Sequence, residues 1–234
     1  MPNRCLNQKR GLQSAAKAFQ TLFVLCLVFP SFFGGSAAQE LEGEALVEAV
    51  RRGGYNIYFR HAATDWGQSD RAEKAGRWAS CDPDEMRQLS SAGRATARRI
   101  GEAIRALDIP VGKVLSSEYC RAAETARLLD VGPVETTSDI MNMNAAELVG
   151  GREAVVERAR RVLSEPAQAG RNVIIVGHGN LMRAATGTYA GEGGSGIYVP
   201  APESETGIKL VGRLSAEEWT QLAEQFAAED RPGE

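Results

Sequence analysis

The chain of 234 residues is poor in histidine and cysteine, with two of the first and four of the second, and only 6% of it is aromatic. So few ligands make a transition-metal site a poor expectation, because such sites gather several imidazole or thiolate groups at short spacing. There is no excess of basic charge either, since 27 Lys and Arg face 30 Asp and Glu. That balance argues against a nucleic-acid surface. A long hydrophobic run is also missing. The one apolar stretch, Phe19 to Phe33, is interrupted by Gln20, Thr21, Pro30 and Ser31. It falls short of the roughly 20 residues that span a bilayer, and a proline would break a helix there.

That stretch instead reads as part of an export signal. Arg4, Lys9, Arg10 and Lys17 make a positive start without an acid, and small residues at Ser36 and Ala38 suit a signal peptidase. Cleavage near Ala38 and a periplasmic or secreted protein are expected, an uncleaved N-terminal membrane anchor being the alternative. Loss of residues 1–38 removes four basic side chains and no acid, leaving 23 basic against 30 acidic residues and a charge of −7. Cys5 and Cys26 leave with the signal, so Cys81 and Cys120 remain. An even pair in an exported protein suggests a disulfide, with two separate buried thiols as the other reading.

From Leu41 onward no repeat, low-complexity tract or linker divides the chain, and one domain over 41–230 is expected. Strands are expected at Tyr55–Arg60, Lys113–Ser116, Asn172–Val176 and Gly207–Val211. Helices are expected at Ala45–Arg52, from a cap at Ser90 or Ser91 to about Leu107, and at Glu118–Leu129, Arg152–Leu163, Asn180–Tyr189 and Ser215–Ala228. Alternation of this kind predicts an α/β fold with a mostly parallel sheet covered on both faces. The ligand site should then lie beyond the carboxyl ends of the strands, at a switch in strand order. Ala190 to Glu205, rich in Gly, Pro and Glu, reads as a loop able to border it.

Three of those strand ends carry chemistry. Arg60 and His61 close the first, Ser116 and Ser117 the second, and Gly177 and His178 the third, while Arg121 lies one turn into the helix after the second. A phosphoryl group in transfer spreads charge over three oxygens, which guanidinium groups match while staying ionised. A neutral imidazole attacks phosphorus, and a cationic one binds a nonbridging oxygen. On chemistry alone either histidine suits either task.

Arg60-His61-Ala62-Ala63-Thr64 resembles the Arg-His-Gly-x-Thr signature of the histidine phosphatase superfamily, which includes the phosphoglycerate mutases. Ser116 to Ala126 resembles its Ser-Ser-x-x-x-Arg-Ala-x-x-Thr-Ala segment, Gly177-His178-Gly179 its second His-Gly motif, and Leu89 to Ala97 its Leu-Ser-x-x-Gly helix start. The resemblance runs from about Tyr55 to Leu214. It implies a three-layer α/β/α sandwich and no metal or other cofactor. It further implies His61 as the nucleophile, and Arg60, Arg121, Thr64 and His178 around the phosphoryl group. Ala62 replaces the usual glycine, Gly67 stands where an asparagine often holds phosphate, and Asn142 falls near the place of the general acid. Glu147, in a segment read as a loop over the site, is the expected acid, with Glu118, Asp65 or no acid as alternatives. A small phosphate ester, in the cell envelope or scavenged outside it, is the expected substrate. Other readings compete with the phosphatase. A mutase fits an exported chain poorly, a serine hydrolase lacks its Gly-x-Ser-x-Gly elbow, and a binding module of the same fold would not need both histidines.

Overall fold

The computed structural model describes residues 39–229. The segment read as an export signal lies outside them. Among the described residues no helix is long and apolar enough to cross a membrane.

Six strands form one sheet in the order β3-β2-β4-β1-β5-β6, with β1 Asn56–Arg60, β2 Val111–Ser117, β3 Val134–Thr137, β4 Asn172–Gly177, β5 Ser195–Pro200 and β6 Ile208–Leu214. The first four are parallel; β5 runs antiparallel beside β1, and β6 antiparallel beside β5 at the sheet edge. Helices flank the sheet in two groups. Helix α1 (Gly43–Arg51) touches α6 (Ala216–Glu229), which touches α2 (Ser91–Ala106), which touches α3 (Cys120–Leu129); α4 (Arg152–Ser164) and α5 (Gly179–Thr186) pair separately. This is the expected α/β arrangement.

The strand that holds the centre is β4. Ile174, Ile175 and Val176 are fully buried, as an unbroken apolar run requires when helices cover both faces. Each such side chain contributes about 1.5–3 kcal/mol of burial. Because β4 lies between β2 and β1, with Ser116 opposite Val176 and Gly177 opposite Arg60, the segments that follow Ser117, Gly177 and Arg60 emerge side by side. Helix α2 starts where Ser90 Oγ accepts the Gly93 N–H at 3.0 Å, a side-chain cap of the usual kind. Gly93 is required there because a Cβ would meet the Ala63 carbonyl oxygen at 2.0 Å.

Several expectations change. The helix expected to reach Tyr189 stops at Thr186, because Gly187 takes a left-handed conformation with φ 74° and ends it as a C-terminal glycine does. Ala190–Glu205 is not simply a loop. It contains β5, whose strand signature is confined to Ile197, Tyr198 and Val199 among turn residues. The edge strand β3 follows Pro133 and is too short to show a pattern. The segment read as a loop over the site forms a 3-10 helix, Met143–Val149, with Asn142 capping it through Asn144 N–H at 2.8 Å.

Candidate active site

His61 follows β1 directly, and its backbone is pinned between the strands by a bond from its N–H to the Gly177 carbonyl at 2.9 Å. Nδ1 lies 2.9 Å from the Ala62 carbonyl. A carbonyl only accepts, so Nδ1 carries the proton and Nε2 a lone pair. That lone pair receives the Nε–H of Arg121 at 3.2 Å. Burial, and after it the Arg121 charge, hold the proton affinity of His61 well below the ordinary imidazole value. The ring is therefore neutral, with its lone pair on Nε2.

The second imidazole is oriented by amides. Asn142 Oδ1 accepts from Asn144 N–H at 2.8 Å and from Asn180 Nδ2 at 2.9 Å. This fixes the Asn142 amide so that its Nδ2–H faces His178 Nδ1 at 3.0 Å. Nδ1 is thus the acceptor, and Nε2–H of His178 is a donor, resting 2.9 Å from Ser117 Oγ. Burial first, then the Arg121 and His61 charges, lower its proton affinity too, so the free site holds a neutral donor rather than the expected cation. Tyr58 clamps the His178 peptide, accepting from its N–H at 2.8 Å and donating to its carbonyl at 3.2 Å. The space this needs exists because residue 177 is glycine; a Cβ would stand 2.1 Å from Tyr58 Oη.

Arg121 enters from the first turn of α3 and is 1% exposed. Both its Nη nitrogens lack a hydrogen-bond acceptor. Nη1 stands 2.8 Å from Asp70 Oδ1, close enough for charge attraction but without hydrogen-bond alignment. Asp70 Oδ2 also pairs with Arg87 at 2.8 Å. The helix is tied to the segment after His61 through Thr125, whose hydroxyl donates to the Arg121 carbonyl at 2.7 Å and accepts the Ala62 N–H at 3.2 Å. That double bond of one hydroxyl is the physical content of the Arg-Ala-x-x-Thr spacing.

A cavity of about 700 Å³ opens over these groups, lined by Arg60, His61, His178, Asp70 and Arg87 among others. Residues 57–154 match the model of the histidine phosphatase superfamily (branch 1). That stretch, less than half of the chain, is what is similar to the superfamily. Its match ends before β4, so the second histidine rests on the geometry above. The matched family supports a phosphatase as the activity. No curated protein matches the chain. Among solved structures it is similar to a mycobacterial glucosyl-3-phosphoglycerate phosphatase, at 18% identity and a TM-score of 0.46 over 62% of this chain and 89% of that one. It is also similar to an Entamoeba histolytica phosphoserine phosphatase, at 12% identity and a TM-score of 0.46 over 70% and 98%.

The other expected residues fall in different places. Arg60 lines the cavity, bonds the Tyr189 hydroxyl and pairs with Glu192 at 3.4 Å. Thr64 is buried nearby, its hydroxyl 3.4 Å from Glu192 Oε1, and does not line the cavity. Glu147 is exposed and also off the cavity, because the 3-10 helix buries Met143, Ala145 and Ala146 and turns Glu147 outward. The expected acid is thus not at the site. Glu118 accepts from Trp78 Nε1 at 2.8 Å, and Asp65 caps its own turn at Gly67 N–H; neither lines the cavity. Asp70 does.

Sequence reasoning missed Asp70, Arg87 and Trp66, all on the irregular segment between β1 and α2. That segment is fastened to the start of α3 twice. Cys81 is joined to Cys120, with Cα atoms 5.3 Å apart, and Trp78 stacks on Tyr119 at 6.4 Å. Tyr119 in turn packs edge-on against His178 at 4.7 Å, and burial pushes its hydroxyl up to about 12.

Proposed function

We propose that the protein hydrolyses phosphomonoesters through a phosphohistidine on His61, without a metal. The observation that carries this is the pairing of a neutral His61 Nε2 with a buried Arg121 whose Nη2 has no hydrogen-bond acceptor and whose Nη1 has only the Asp70 carboxylate beside it. Leaving such donors unmatched costs about 1–3 kcal/mol, and a phosphoryl dianion would supply the acceptors.

In this reading Arg60, Arg87 and Arg121 hold the phosphoryl oxygens and supply the positive charge that the transfer needs. His61 Nε2 attacks phosphorus, and the bond from phosphorus to the ester oxygen breaks. His178 swings its Nε2–H from Ser117 to a nonbridging oxygen. Water then attacks the phosphohistidine, releasing inorganic phosphate and restoring His61. The departing oxygen takes a proton, and we assign its delivery to Asp70, the one carboxylate among the described residues that line the cavity. A phosphoryl group that takes over Arg121 and Arg87 frees that carboxylate beside the leaving group, where it takes up a proton from solvent and passes it to the ester oxygen.

The composition of residues 1–38 supports export, and with it a phosphate ester of the cell envelope or one scavenged outside the cell. Release of phosphate from p-nitrophenyl phosphate in EDTA by the mature chain, and its loss in His61→Ala, tests the reading. An enzyme silent until a divalent metal is added would overturn it.

A further inference from the structure

We infer that the cavity contains a second anion-binding subsite, formed by Arg152 and Arg183, and that the substrate is a phosphomonoester carrying another negative group a few bonds from the ester phosphate. This rests on the phosphatase reading for the identity of the first anion.

The argument is one of charge. Among the described residues four arginines line the cavity, with Arg121 buried against His61, and the only carboxylate in the wall is Asp70. Asp70 is taken up by Arg87 and Arg121, and Glu192 faces Arg60. Arg152 and Arg183 are exposed to the cavity and, among the described residues, neither has an acidic partner. A phosphoryl dianion on the cradle leaves both of them uncompensated. Arg152 is also the first residue of α4, where the helix end is already positive and an acid is the stabilising choice. Local structure therefore gives no reason for a cation there, whereas an anionic ligand does.

The placement sets the spacing. The Tyr189 ring carries the Arg60 guanidinium carbon 5.4 Å from its centroid and that of Arg183 4.6 Å from it. These two distances bound the separation of the guanidinium carbons at 10 Å. An anion on Arg183 thus lies within a short molecule's reach of a phosphoryl group on Arg60. The neutral donors Asn144 and Asn180 line the same wall and suit carboxylate or phosphate oxygens. The cavity's volume falls in the range for small organic ligands, about 300–1,000 Å³, so there is room for more than a single phosphate.

Calorimetric titration of the mature His61→Ala chain with three ligands tests this: propyl phosphate, 3-phosphonooxypropanoate and propane-1,3-diyl bisphosphate. At low salt the two ligands with a second anion should bind about 10- to 100-fold more tightly than propyl phosphate, the range for a charge-assisted hydrogen bond. The gap should narrow in 0.5 M NaCl, because exposed charges are screened. Whichever of the two gains more identifies the second anion as carboxylate or phosphate. The Arg152→Gln/Arg183→Gln pair should erase the gap and change propyl phosphate binding less than about 3-fold. Equal affinity for the three ligands, no binding of any, or a uniform loss in the double variant would overturn the subsite. Failure of the native chain to turn over p-nitrophenyl phosphate would instead strike the phosphatase reading, and the titration reads the subsite separately from it.

Discussion

Two histidines buried in their neutral form make stability fall in mild acid, by an amount that follows from their environment. Burial and Arg121 hold both imidazoles well below 6.5 in the folded protein, and the rings lie 5.4 Å apart, so charging one opposes charging the other. Above pH 6.5 the histidines are neutral in folded and unfolded chains alike and contribute no pH dependence. Below it the unfolded chain takes up a proton on each while the folded chain does not, so unfolding is favoured. The contribution is lost as pH falls from 6.5 toward the lowered folded values. At pH 5.5 the loss is about 1.4 kcal/mol for each histidine and about 3 kcal/mol for both. That is a visible share of the roughly 5–15 kcal/mol that stabilises a domain. The assay is urea unfolding at pH 7.5 and 5.5, comparing the native chain with His61→Gln/His178→Gln. Carboxylates act in both proteins, so the native chain should lose about 3 kcal/mol more than the variant. Identical pH dependence in the two would refute the claim that these rings are held neutral.

Asp70→Asn is expected to slow alkyl phosphates about 10²- to 10⁴-fold, the usual span of general acid catalysis, and p-nitrophenyl phosphate little, while Glu147→Gln leaves both unchanged. Equal slowing of both substrates by Asp70→Asn would confine Asp70 to holding the arginines. Gly177→Ala puts a Cβ 2.1 Å from Tyr58 Oη and should lower stability by about 1–3 kcal/mol, read as a lower urea midpoint with reduced kcat. Reduction of Cys81–Cys120, which closes 39 residues, should cost about 3–4 kcal/mol and lower activity by loosening the segment that carries Asp70 and Arg87; an unchanged midpoint would contradict this.

How far the sequence could be read depended on whether a residue's neighbours are near it in the chain. Arg60, His61 and His178 were legible because apolar runs end directly before them, and a buried parallel strand has only one place for its ligand edge. Arg121 was legible because one helical turn separates it from β2. Asp70 and Arg87 were not. Their segment has no periodic pattern, and its course is set by Cys81, Trp78 and their partners Cys120 and Tyr119 at the start of α3, 39 and 41 residues from those anchors. Glu147 failed for a local reason. The segment looked like a loop, but its three small or apolar side chains at 143, 145 and 146 face the core and choose which side points out. Asn142 stands near the place of the family's acid and orients His178 instead, a role that only the fold reveals. Strand β5 was hidden because glycine and proline surround its short apolar core.

The central claim is that His61 carries the phosphoryl group. Rapid quenching of the native chain with a ³²P-labelled phosphomonoester, followed by peptide mapping, measures it directly. Acid-labile label on the peptide containing His61, absent from His61→Ala and formed more slowly from an alkyl phosphate in Asp70→Asn, is the expected result; label on the His178 peptide, or turnover with no covalent label at any quench time, would contradict it.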